Sequence, residues 1–477
     1  MIQSKPDVLI IGSSFSAYAA YLACRDQEIV PTILDSWLSP SEPFHNWLDS
    51  ESDVPGANLK TFFGSNSMYR YPEFIVDRKD LPQTPLSIVS GGLSSVWGAG
   101  SEFPSAESMG LSDVTGYSDA CENISNHLKQ FGFSLNRKSA NAFDYLYISN
   151  RLQLAAGRFN NSKKYEASNP FLAFDQSLCV QCGECFVGCP TNSILNIAYQ
   201  WKKEVDSFHR IEGIVTKINP LQSKINVDFL VPKTKELKTS SNYDFVFLAT
   251  GSIATGSILL ESSLISSPAK LSETQIYFTP IFSFRKKKMN DPKFTMAQLV
   301  LKNKDNNYSR FVSIFESGDY VSSRATIKIS GRIIAVPRFL TRFFLVAISY
   351  LPEENSGKIL IEKNHPAGAK LSALKKRNMK LSIFLHDFKI YLRMFSSGII
   401  PISFLTQIPQ IGSSYHIGHL TDTNGVDTLI EGKIPNLDNL VIVDGAAIPK
   451  LPVGSITAGI LANSYRLAKQ NLALKAF

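Results

Sequence analysis

The stretch that most constrains the fold is residues 7–35, DVLIIGSSFSAYAAYLACRDQEIVPTILD. Its apolar run VLII is short and continuous, which is typical of a parallel strand buried on both faces. A turn at Gly12, an Ala-rich helical segment and a second apolar run ending at Asp35 follow. A helix between two such runs indicates a βαβ unit, so the sequence predicts an α/β fold.

The turn of this unit matches the dinucleotide-binding fingerprint G-x-G-x-x-G only in part. Gly12 occupies the first glycine position, Ser14 the second and Ala17 the third. Ser14 is small enough for the backbone to approach a pyrophosphate, and Ala17 still allows close packing of helix on strand. Asp35 is placed to accept hydrogen bonds from a ribose. The pattern predicts a dinucleotide site, with an ordinary βαβ unit as the alternative.

Four of the six cysteines lie in one run, residues 178–190, LCVQCGECFVGCP. The run matches the ferredoxin spacing C-x2-C-x2-C-x3-C-P residue for residue. It therefore predicts an iron-sulfur cluster, most simply 4Fe-4S, in a small ferredoxin-like segment. The predicted ligands are Cys179, Cys182, Cys185 and Cys189.

The fourth ligand stays open, because in two-cluster ferredoxins the last cysteine of this run binds the other cluster. Either Cys189 closes its own cluster, or three cysteines hold a 4Fe-4S or 3Fe-4S cluster with Cys121, Cys24 or a non-cysteine ligand. Zinc is an alternative, although structural zinc loops usually separate two ligand pairs by about a dozen or more residues. A loop of thiols without metal is another.

Composition narrows the class of protein and its partners. With 477 residues, 44% hydrophobic and 19% charged, the chain is long enough for several folded domains. Its 49 basic residues exceed its 41 acidic ones only mildly, and the basic stretch 286–307 holds a single aromatic, so we expect no nucleic-acid partner. The clustered cysteines and the lack of a secretory pattern before the first apolar run predict a cytoplasmic protein.

Two stretches bear on membrane contact. The apolar residues 333–351 are interrupted by Pro337, Arg338 and Arg342, so we expect no spanning helix. Residues 375–393, KKRNMKLSIFLHDFKIYLR, interleave cations with apolar side chains at helical spacing. They predict either peripheral contact with the anionic inner face of a membrane or a solvated basic face over a core-facing stripe, the commoner of the two.

The C-terminal residues 439–470, NLVIVDGAAIPKLPVGSITAGILANSYRLAKQ, predict an apolar strand, an Asp-Gly turn, a proline-containing loop and a closing helix. This stretch resembles the C-terminal segment of the glucose-methanol-choline (GMC) flavin oxidoreductases. Three further stretches resemble motifs of that family and occur in family order: SGGLSSVWGAG at 90–100, FVFLATGSIATGSILLES at 245–262 and GSSYHIGHLTDTNGVD at 412–427.

The resemblance implies an α/β fold with a discontinuous, Rossmann-like FAD-binding domain, a second α+β substrate domain and the ferredoxin-like insert. The implied parts are the FAD domain at 1–110, 201–264 and 406–477, the insert at 165–200 and the substrate domain at 265–405. The residues that fall where the family binds FAD are Gly12, Ser14, Asp35, Gly92, Ser94, Val215, Ala249, Gly251 and Asp444.

The resemblance also implies oxidation of a hydroxyl group by hydride transfer to FAD, with His416 taking the hydroxyl proton. His419 is a weaker alternative for this role. The family places a His or Asn near the start of the closing helix, where this chain has Ser455. Ser455 is the expected second catalytic residue, but a hydroxyl cannot share a proton as a second imidazole would.

The substrate and the route of the electrons are implied in the same way. We expect a small hydroxyl-bearing substrate, a sugar or a carrier-linked sugar, and an iron-sulfur cluster that passes electrons to an unidentified acceptor. Two other functions stay open. One is a non-catalytic flavin and iron-sulfur electron-transfer subunit, which Ser455 favours, and the other is a zinc-stabilised binding protein. The sequence does not indicate the oligomeric state.

Overall fold

The structure is a computed structural model of the chain. It describes residues 5–39, 71–72, 75–95, 97–133, 148–183, 185, 189–286, 294–303, 310–316, 326–329, 332–335, 342–364, 368–374 and 379–474. Parts of five sequence stretches lie outside the described residues: 96 of the stretch at 90–100, 184 and 186–188 of the cysteine run, 287–293 and 304–307 of the basic stretch at 286–307, 336–341 of the interrupted apolar stretch at 333–351, and 375–378 of the stretch at 375–393.

The helices and strands of the described residues are numbered here in chain order. The α-helices are α1 (Phe15–Arg25), α2 (Val114–Gln130), α3 (Asn150–Phe159), α4 (Ile197–Lys203), α5 (Ser252–Glu261), α6 (Met379–Ser396) and α7 (Thr457–Ala473). The strands are β1 (Val8–Ile11), β2 (Thr32–Asp35), β3 (Val76–Asp77), β4 (Tyr165–Ser168), β5 (His209–Glu212), β6 (Ile214–Pro220), β7 (Ile225–Leu230), β8 (Leu237–Thr239), β9 (Phe245–Leu248), β10 (Ala269–Glu273), β11 (Ile276–Ser283), β12 (Ala297–Asn303), β13 (Phe311–Glu316), β14 (Thr326–Ile329), β15 (Arg332–Ala335), β16 (Phe344–Tyr350), β17 (Lys358–Lys363), β18 (Ala369–Leu374), β19 (Ile399–Pro401), β20 (Ile417–Thr421), β21 (Lys433–Ile434) and β22 (Leu437–Ile442).

A mostly parallel sheet with the strand order β21-β22-β9-β1-β2-β5 forms the first layer. Every neighbouring pair is parallel except β21 and β22. β1 is central, since Ile10 pairs with Ile33 of β2 on one side and with Phe247 of β9 on the other. All four residues of β1 are buried, as a strand covered on both faces requires. The predicted α/β fold is confirmed.

This sheet draws its strands from distant parts of the chain. β1 and β2 are N-terminal, β5 and β9 come from the middle, and β22 is C-terminal. α1 packs against α7 beside the sheet and is buried along almost its whole length, which explains why its sequence is Ala-rich all round and not amphipathic. The discontinuous, Rossmann-like architecture is thus confirmed as a fold.

A six-stranded antiparallel sheet, β19-β11-β16-β13-β12-β4, forms a second body of the molecule. Its core is shared with α3 and α6, where Leu152 and Ile390 pack with strand residues such as Ile314. A third sheet, β20-β10-β17-β18-β3, packs against α5, the helix that follows β9. α5 therefore connects the parallel sheet to the strand that carries the segment around residue 416. No helix among the described residues is long and apolar enough to cross a membrane.

The cysteine run is attached to the glycine-rich stretch at 97–101. Leu172 and Gly100 form an isolated antiparallel bridge, and the N–H of Ala173 donates to the carbonyl oxygen of Ala99 at 2.8 Å. The indole N–H of Trp97 donates to the carbonyl oxygen of Leu195, beyond the run, at 2.8 Å. Both ends of the run are therefore held against one loop of the first layer.

Candidate active site

Two cavities lie at the carboxyl ends of the parallel strands. The larger has a volume of about 280 Å³ and the smaller about 70 Å³. Ser14, Ser87, Gly92, Ala249 and Thr250 line both, so the two spaces adjoin and form one elongated site. This edge of an open α/β sheet is where such folds bind their ligands.

The sequence-predicted site residues come together around these cavities. The smaller cavity is lined by Gly12, Asp35 and Val215, the common wall by Ser14, Gly92 and Ala249, and the larger cavity by Ser94, Gly251, Asp444, His416 and Ser455. Residues from both ends and the middle of the chain thus converge on one site, as the discontinuous sheet requires.

The turn between β1 and α1 needs a glycine. Gly12 has φ +108°, and a Cβ there would lie 2.4 Å from the carbonyl oxygen of Ala249. This close approach brings the loop after β9 against the start of α1. Ser14 is the N-cap of α1, and its hydroxyl makes no capping hydrogen bond, so the first N–H groups of the helix are not capped by that side chain. Such groups suit the negative charge of a pyrophosphate.

Asp35 ends β2 and faces the smaller cavity. It accepts a hydrogen bond from the hydroxyl of Ser13 at 2.8 Å, while the Ser13 hydroxyl oxygen accepts from the N–H of Gly91 at 2.7 Å. Burial raises the pKa of Asp35 to about 7, against the opposing effect of the Ser13 hydrogen bond. Its oxygens are suitable acceptors for the hydroxyls of a ribose.

Asp444 joins two predicted cofactor segments. Its carboxylate accepts hydrogen bonds from the N–H of Gly251 and the N–H of Ala446, each at 2.9 Å, and from the hydroxyl of Thr255. Burial raises the pKa of Asp444 to about 6, and these hydrogen bonds oppose the shift. Asp444 therefore holds the start of α5 against the segment that follows β22.

His416 lies in the wall of the larger cavity, just before β20. Its ring stacks on Tyr350 with centroids 5.0 Å apart and planes inclined by 9°. Burial lowers the pKa of His416 to about 4. Its Nδ1 is buried and makes no hydrogen bond in the part of the chain that the structure describes. The imidazole is therefore neutral at pH 7 and able to accept a proton.

His419 has the opposite environment. Its ring nitrogens lie 2.7 Å from a carboxylate oxygen of Glu353 and 2.8 Å from one of Asp427. Burial acts to lower the pKa of His419, but the hydrogen bonds and charges of the two carboxylates outweigh it and raise the pKa. The residue does not line either cavity. An imidazole held between two carboxylates, with its charged form favoured, is a poorer candidate for the base than His416.

A buried carboxylate that no sequence motif indicates lies behind the His416 loop. Glu273, at the end of β10, accepts hydrogen bonds from the N–H of Gly412 and the N–H of Ser414, each at 2.9 Å. The hydroxyl oxygen of Ser414 in turn accepts from the N–H of His416 at 3.0 Å. Burial raises the pKa of Glu273 to about 7, which these two N–H donors oppose. Glu273 thus holds the backbone that carries His416.

Ser455 lies before α7 and faces the same cavity as His416. Its hydroxyl donates to the carbonyl oxygen of Gly100 at 2.5 Å. A Cβ on residue 100 would approach the Ser455 oxygen to 2.8 Å, so the contact depends on a glycine there. With its proton used in this way, the Ser455 oxygen can only accept from a ligand hydroxyl.

The cysteine run packs against the wall of the larger cavity. Cys179, Cys185 and Cys189 contact a hydrophobic cluster separate from the main core. Five members of this cluster also line the larger cavity: Leu172, Ile276, Ala297, Phe315 and Ile348. Cys24 and Cys121, the alternative ligands, are buried instead in the main core around the parallel sheet.

The four thiols form a donor set suited to iron. Two hydroxyls approach the Cys189 sulfur, from Ser193 at 2.9 Å and Thr191 at 3.4 Å. Burial acts to raise the pKa of Cys189, but these hydrogen bonds outweigh it and lower the pKa, which favours the thiolate. Among the described residues, no three His, Cys, Asp or Glu side chains are grouped to hold one metal ion. A cluster spreads its thiolate ligands over several iron atoms, so they need not meet at one point.

The fold matches that of two solved oxidases over almost the whole chain, so the fold implied by the resemblance seen in the sequence is confirmed. The crystal structure of pyridoxine 4-oxidase from Mesorbium loti matches with a TM-score of 0.61 at 11% identity, over 98% of this chain and 99% of that chain. The structure of a new fungal aryl-alcohol oxidase matches with a TM-score of 0.60 at 9% identity, over 100% of both chains.

The cysteine run has a separate match. The family described as "4Fe-4S binding domain" matches residues 171–194, a range that contains all four cysteines of the run. No curated protein matches the chain in sequence.

Proposed function

We propose that this protein is an FAD-dependent oxidoreductase that oxidises a hydroxyl group. The observation that carries the proposal is the neutral imidazole of His416, whose buried Nδ1 has no hydrogen bond in the described structure. It lines the same elongated site as the glycine turn and the uncapped start of α1. The two structural neighbours, named as oxidases of pyridoxine and of aryl alcohols, support the same class of reaction.

The residues around the cavities suit the parts of FAD. The turn at Gly12 and Ser14 suits the pyrophosphate, Asp35 the ribose, and Val215 an adenine contact through its backbone. Gly92, Ser94, Ala249, Gly251 and Asp444 line the parts of the site nearer to His416. The bound flavin supplies the hydride acceptor for the reaction.

His416 and Ser455 act on the substrate hydroxyl. His416 takes the hydroxyl proton on the ring nitrogen that carries no proton, because a neutral imidazole has one nitrogen with a free lone pair. Ser455 accepts a hydrogen bond and orients the same hydroxyl, since its own proton is donated to Gly100. Glu273 does not touch the substrate and acts by holding the loop of His416.

The cysteine run provides the exit for the electrons. Cys179, Cys182, Cys185 and Cys189 would hold the iron-sulfur cluster, which would supply one-electron transfer to an external acceptor. The apolar cluster that contacts three of these cysteines also forms part of the larger cavity wall. This shared wall supports a short route between the two sites.

The proposed substrate is a sugar or a carrier-linked sugar. The larger cavity is lined by aromatic rings, including Trp97, Phe311 and Tyr415, together with hydroxyls such as Ser313. Flat rings pack against the C–H faces of a sugar, and the hydroxyls bind its polar groups. An aromatic alcohol is the second candidate, because the same rings stack on another ring.

The test is anaerobic stopped-flow bleaching of the flavin with sugars, polyols and aromatic alcohols. The proposal expects bleaching by at least one compound, and the group that reacts fastest identifies the substrate class. If no compound bleaches the flavin while a protein partner does, the protein is the non-catalytic electron-transfer subunit and the proposal is wrong.

The cofactors are tested by the absorbance spectrum and metal content of anaerobically purified protein. We expect a yellow-brown protein with flavin bands on the broad absorbance of a cluster, and iron without zinc. A colourless protein that contains zinc would instead be the zinc-stabilised binding protein.

A further inference from the structure

One helix has an apolar face that the core does not use. On α6, four large apolar side chains point outward: Leu385, Phe388, Leu392 and Phe395, with exposed fractions of 64%, 45%, 56% and 63%. At about 100° per residue these positions fall within an arc of about 80°, and they extend over about 15 Å of helix. We call this set the α6 outer face.

The opposite side of α6 already supplies the core contact. Ile383, Ile390 and Met394 are buried, and Ile390 and Met394 pack in the cluster with the six-stranded sheet. This is the core-facing stripe expected from the sequence. A surface helix normally carries polar residues on its other side. Here the outer side carries large apolar side chains too, and burial in the core does not account for their exposed surface.

A neighbouring turn adds to the same region. The hydroxyl of Thr279 lies 2.9 Å from that of Tyr391 on α6 and 3.0 Å from that of Thr406. Thr406 directly follows the 3-10 turn Ser403–Leu405, so this turn flanks α6. Its residue Phe404 is 86% exposed.

The charges beside the α6 outer face are positive. Lys389 lies one position from Phe388 and is exposed, and Arg393 follows Leu392. The guanidinium of Arg393 donates to the carbonyl oxygens of Arg158 and Phe159, which places the end of α3 and its exposed Arg158 at the same surface.

Acidic groups are lacking on the same two helices. α3 contains none, and the only acid of α6 is Asp387, which is buried and accepts the hydroxyl of Tyr277. Among the described side chains of these two helices, the charged ones that reach the surface are therefore all cations, and they lie beside large apolar side chains.

We propose that the α6 outer face docks on the surface of an anionic phospholipid bilayer. Apolar side chains on a convex helix can enter the boundary between headgroups and acyl chains, while Lys389, Arg393 and Arg158 contact anionic headgroups. A two-fold dimer through this face would set the same cations against each other, which disfavours a second copy as the occupant. The proposal is independent of the redox activity, because it uses no residue of the active site.

The experiment is flotation of the purified full chain with phosphatidylcholine vesicles, with and without phosphatidylglycerol. We expect binding only to the vesicles that contain phosphatidylglycerol, and weaker binding at high salt. Leu392→Ser together with Phe395→Ser should lower the binding constant by at least about tenfold, because two large apolar side chains no longer enter the bilayer. Lys389→Glu should lower it as well, through charge alone.

The matched control is Val426→Ser together with Ile430→Ser, which removes two exposed apolar side chains from the segment after β20. This control should bind as the natural sequence does.

Failure of the natural sequence to float with either vesicle overturns the proposal, as does an equal loss of binding in the control. If sedimentation shows a dimer that Leu392→Ser and Phe395→Ser dissociate, and no vesicle binding occurs, the occupant is a second copy and the proposal is wrong. Should the double variant fail to fold, Lys389→Glu carries the test.

Discussion

At the scale of single residues, His416 and His419 show how burial and partners separate two histidines only three positions apart. His416 faces a cavity, pairs with no charged side chain among the described residues and favours the neutral form, whereas His419 is held between Glu353 and Asp427 and favours the charged form. A base must be unprotonated at working pH and must reach the substrate. His416 meets the first requirement and lines the cavity, so its role can be tested directly.

Replacing His416 with Ala should slow reduction of the flavin by substrate at least ~100-fold, because no other group in the proposed site takes the proton. The absorbance spectrum should stay unchanged, since the ring is not among the proposed cofactor contacts. His209→Ala, at an exposed position of β5, is the matched control and should keep the full rate. A fully active His416→Ala protein would remove the proposed role.

Glu273→Gln should lower the rate of flavin reduction by about tenfold. Each carboxylate oxygen of Glu273 accepts a backbone N–H, whereas the NH2 group of Gln would face one of these N–H donors and could not accept its hydrogen bond. The loop that carries His416 should therefore be displaced. The rate of the natural sequence should fall as the pH drops through about 7, when Glu273 gains a proton. Protonation of His416 does not lower the rate near pH 7, since the pKa of His416 is about 4. The Glu273→Gln variant should therefore lose the part of this fall in rate that Glu273 causes, and any fall that remains comes from Asp35 or Asp444, whose pKa values are raised to about 7 and about 6. An unchanged inflection near pH 7 would exclude Glu273 as its source.

The stability of the same variant has a defined pH dependence. The folded-state pKa of Glu273, about 7, lies above the ordinary value of 4.5, so the folded protein favours the neutral carboxyl. Its contribution to stability is fully present below the ordinary pKa and is lost as the pH rises through about 7. Gln does not titrate, so the Tm of Glu273→Gln relative to the natural sequence should rise from about pH 5 to about pH 8. Thermal melts at both pH values measure this difference.

At the scale of elements, the turn between β1 and α1 is built by a close approach of two backbones. Gly12→Ala would place a methyl group 2.4 Å from the carbonyl oxygen of Ala249 at φ +108°, so the turn must open and FAD affinity should fall at least about tenfold. Gly157→Ala on α3 is the matched control, because nothing lies within 4 Å of a Cβ there. Fluorescence titration of the apoprotein with FAD measures the FAD affinity of the Gly12→Ala and Gly157→Ala variants. Equal affinities would place the pyrophosphate elsewhere.

The cysteine run is a second element that can be tested alone. Cys185→Ser should lower the iron content and the broad cluster absorbance while the flavin bands remain, because Cys185 lines neither of the two cavities. Flavin reduction by substrate should persist, but electron transfer from the flavin to an external one-electron acceptor should slow. Cys121→Ala should keep the iron, since Cys121 is buried in the other core. Loss of iron in that variant instead would make Cys121 the fourth ligand.

At the scale of the whole molecule, one ligand site joins three separated parts of the chain. Its walls come from the turn after β1, the segment after β9 and the segments before β20 and α7. A cofactor that binds there binds the folded chain but not the unfolded chain. At a cofactor concentration of about 100 times Kd, it therefore stabilises the folded state by about 2.7 kcal/mol. We expect the Tm of apoprotein to rise by several degrees on addition of FAD, measured by thermal melts. The Tm of the Gly12→Ala variant should rise less on addition of FAD. If the Tm of neither protein rises, FAD binding is contradicted.

The fold class could be predicted from the sequence, and so could many of the residues that line the two cavities. A continuous apolar run of four residues indicates a buried strand, and a glycine at its end indicates a turn, because both depend on neighbours a few positions away. The cysteine spacing is local in the same way. The convergence of Gly12, Asp35, Gly251, Asp444 and His416 on one site needed the resemblance to a known fold, since no local pattern carries it.

The amino-acid sequence by itself determined the βαβ start, the glycine turns and the ferredoxin-like spacing of Cys179 to Cys189, because short-range sterics and periodicity encode them. Only the tertiary structure decided that Glu273 holds the His416 loop, since its hydrogen-bond partners lie 139 and 141 positions away. It also decided which apolar side of α6 meets the core. Helical periodicity shows that such a helix has apolar faces, but only packing against the sheet buries one of them and leaves Leu392 and Phe395 outside.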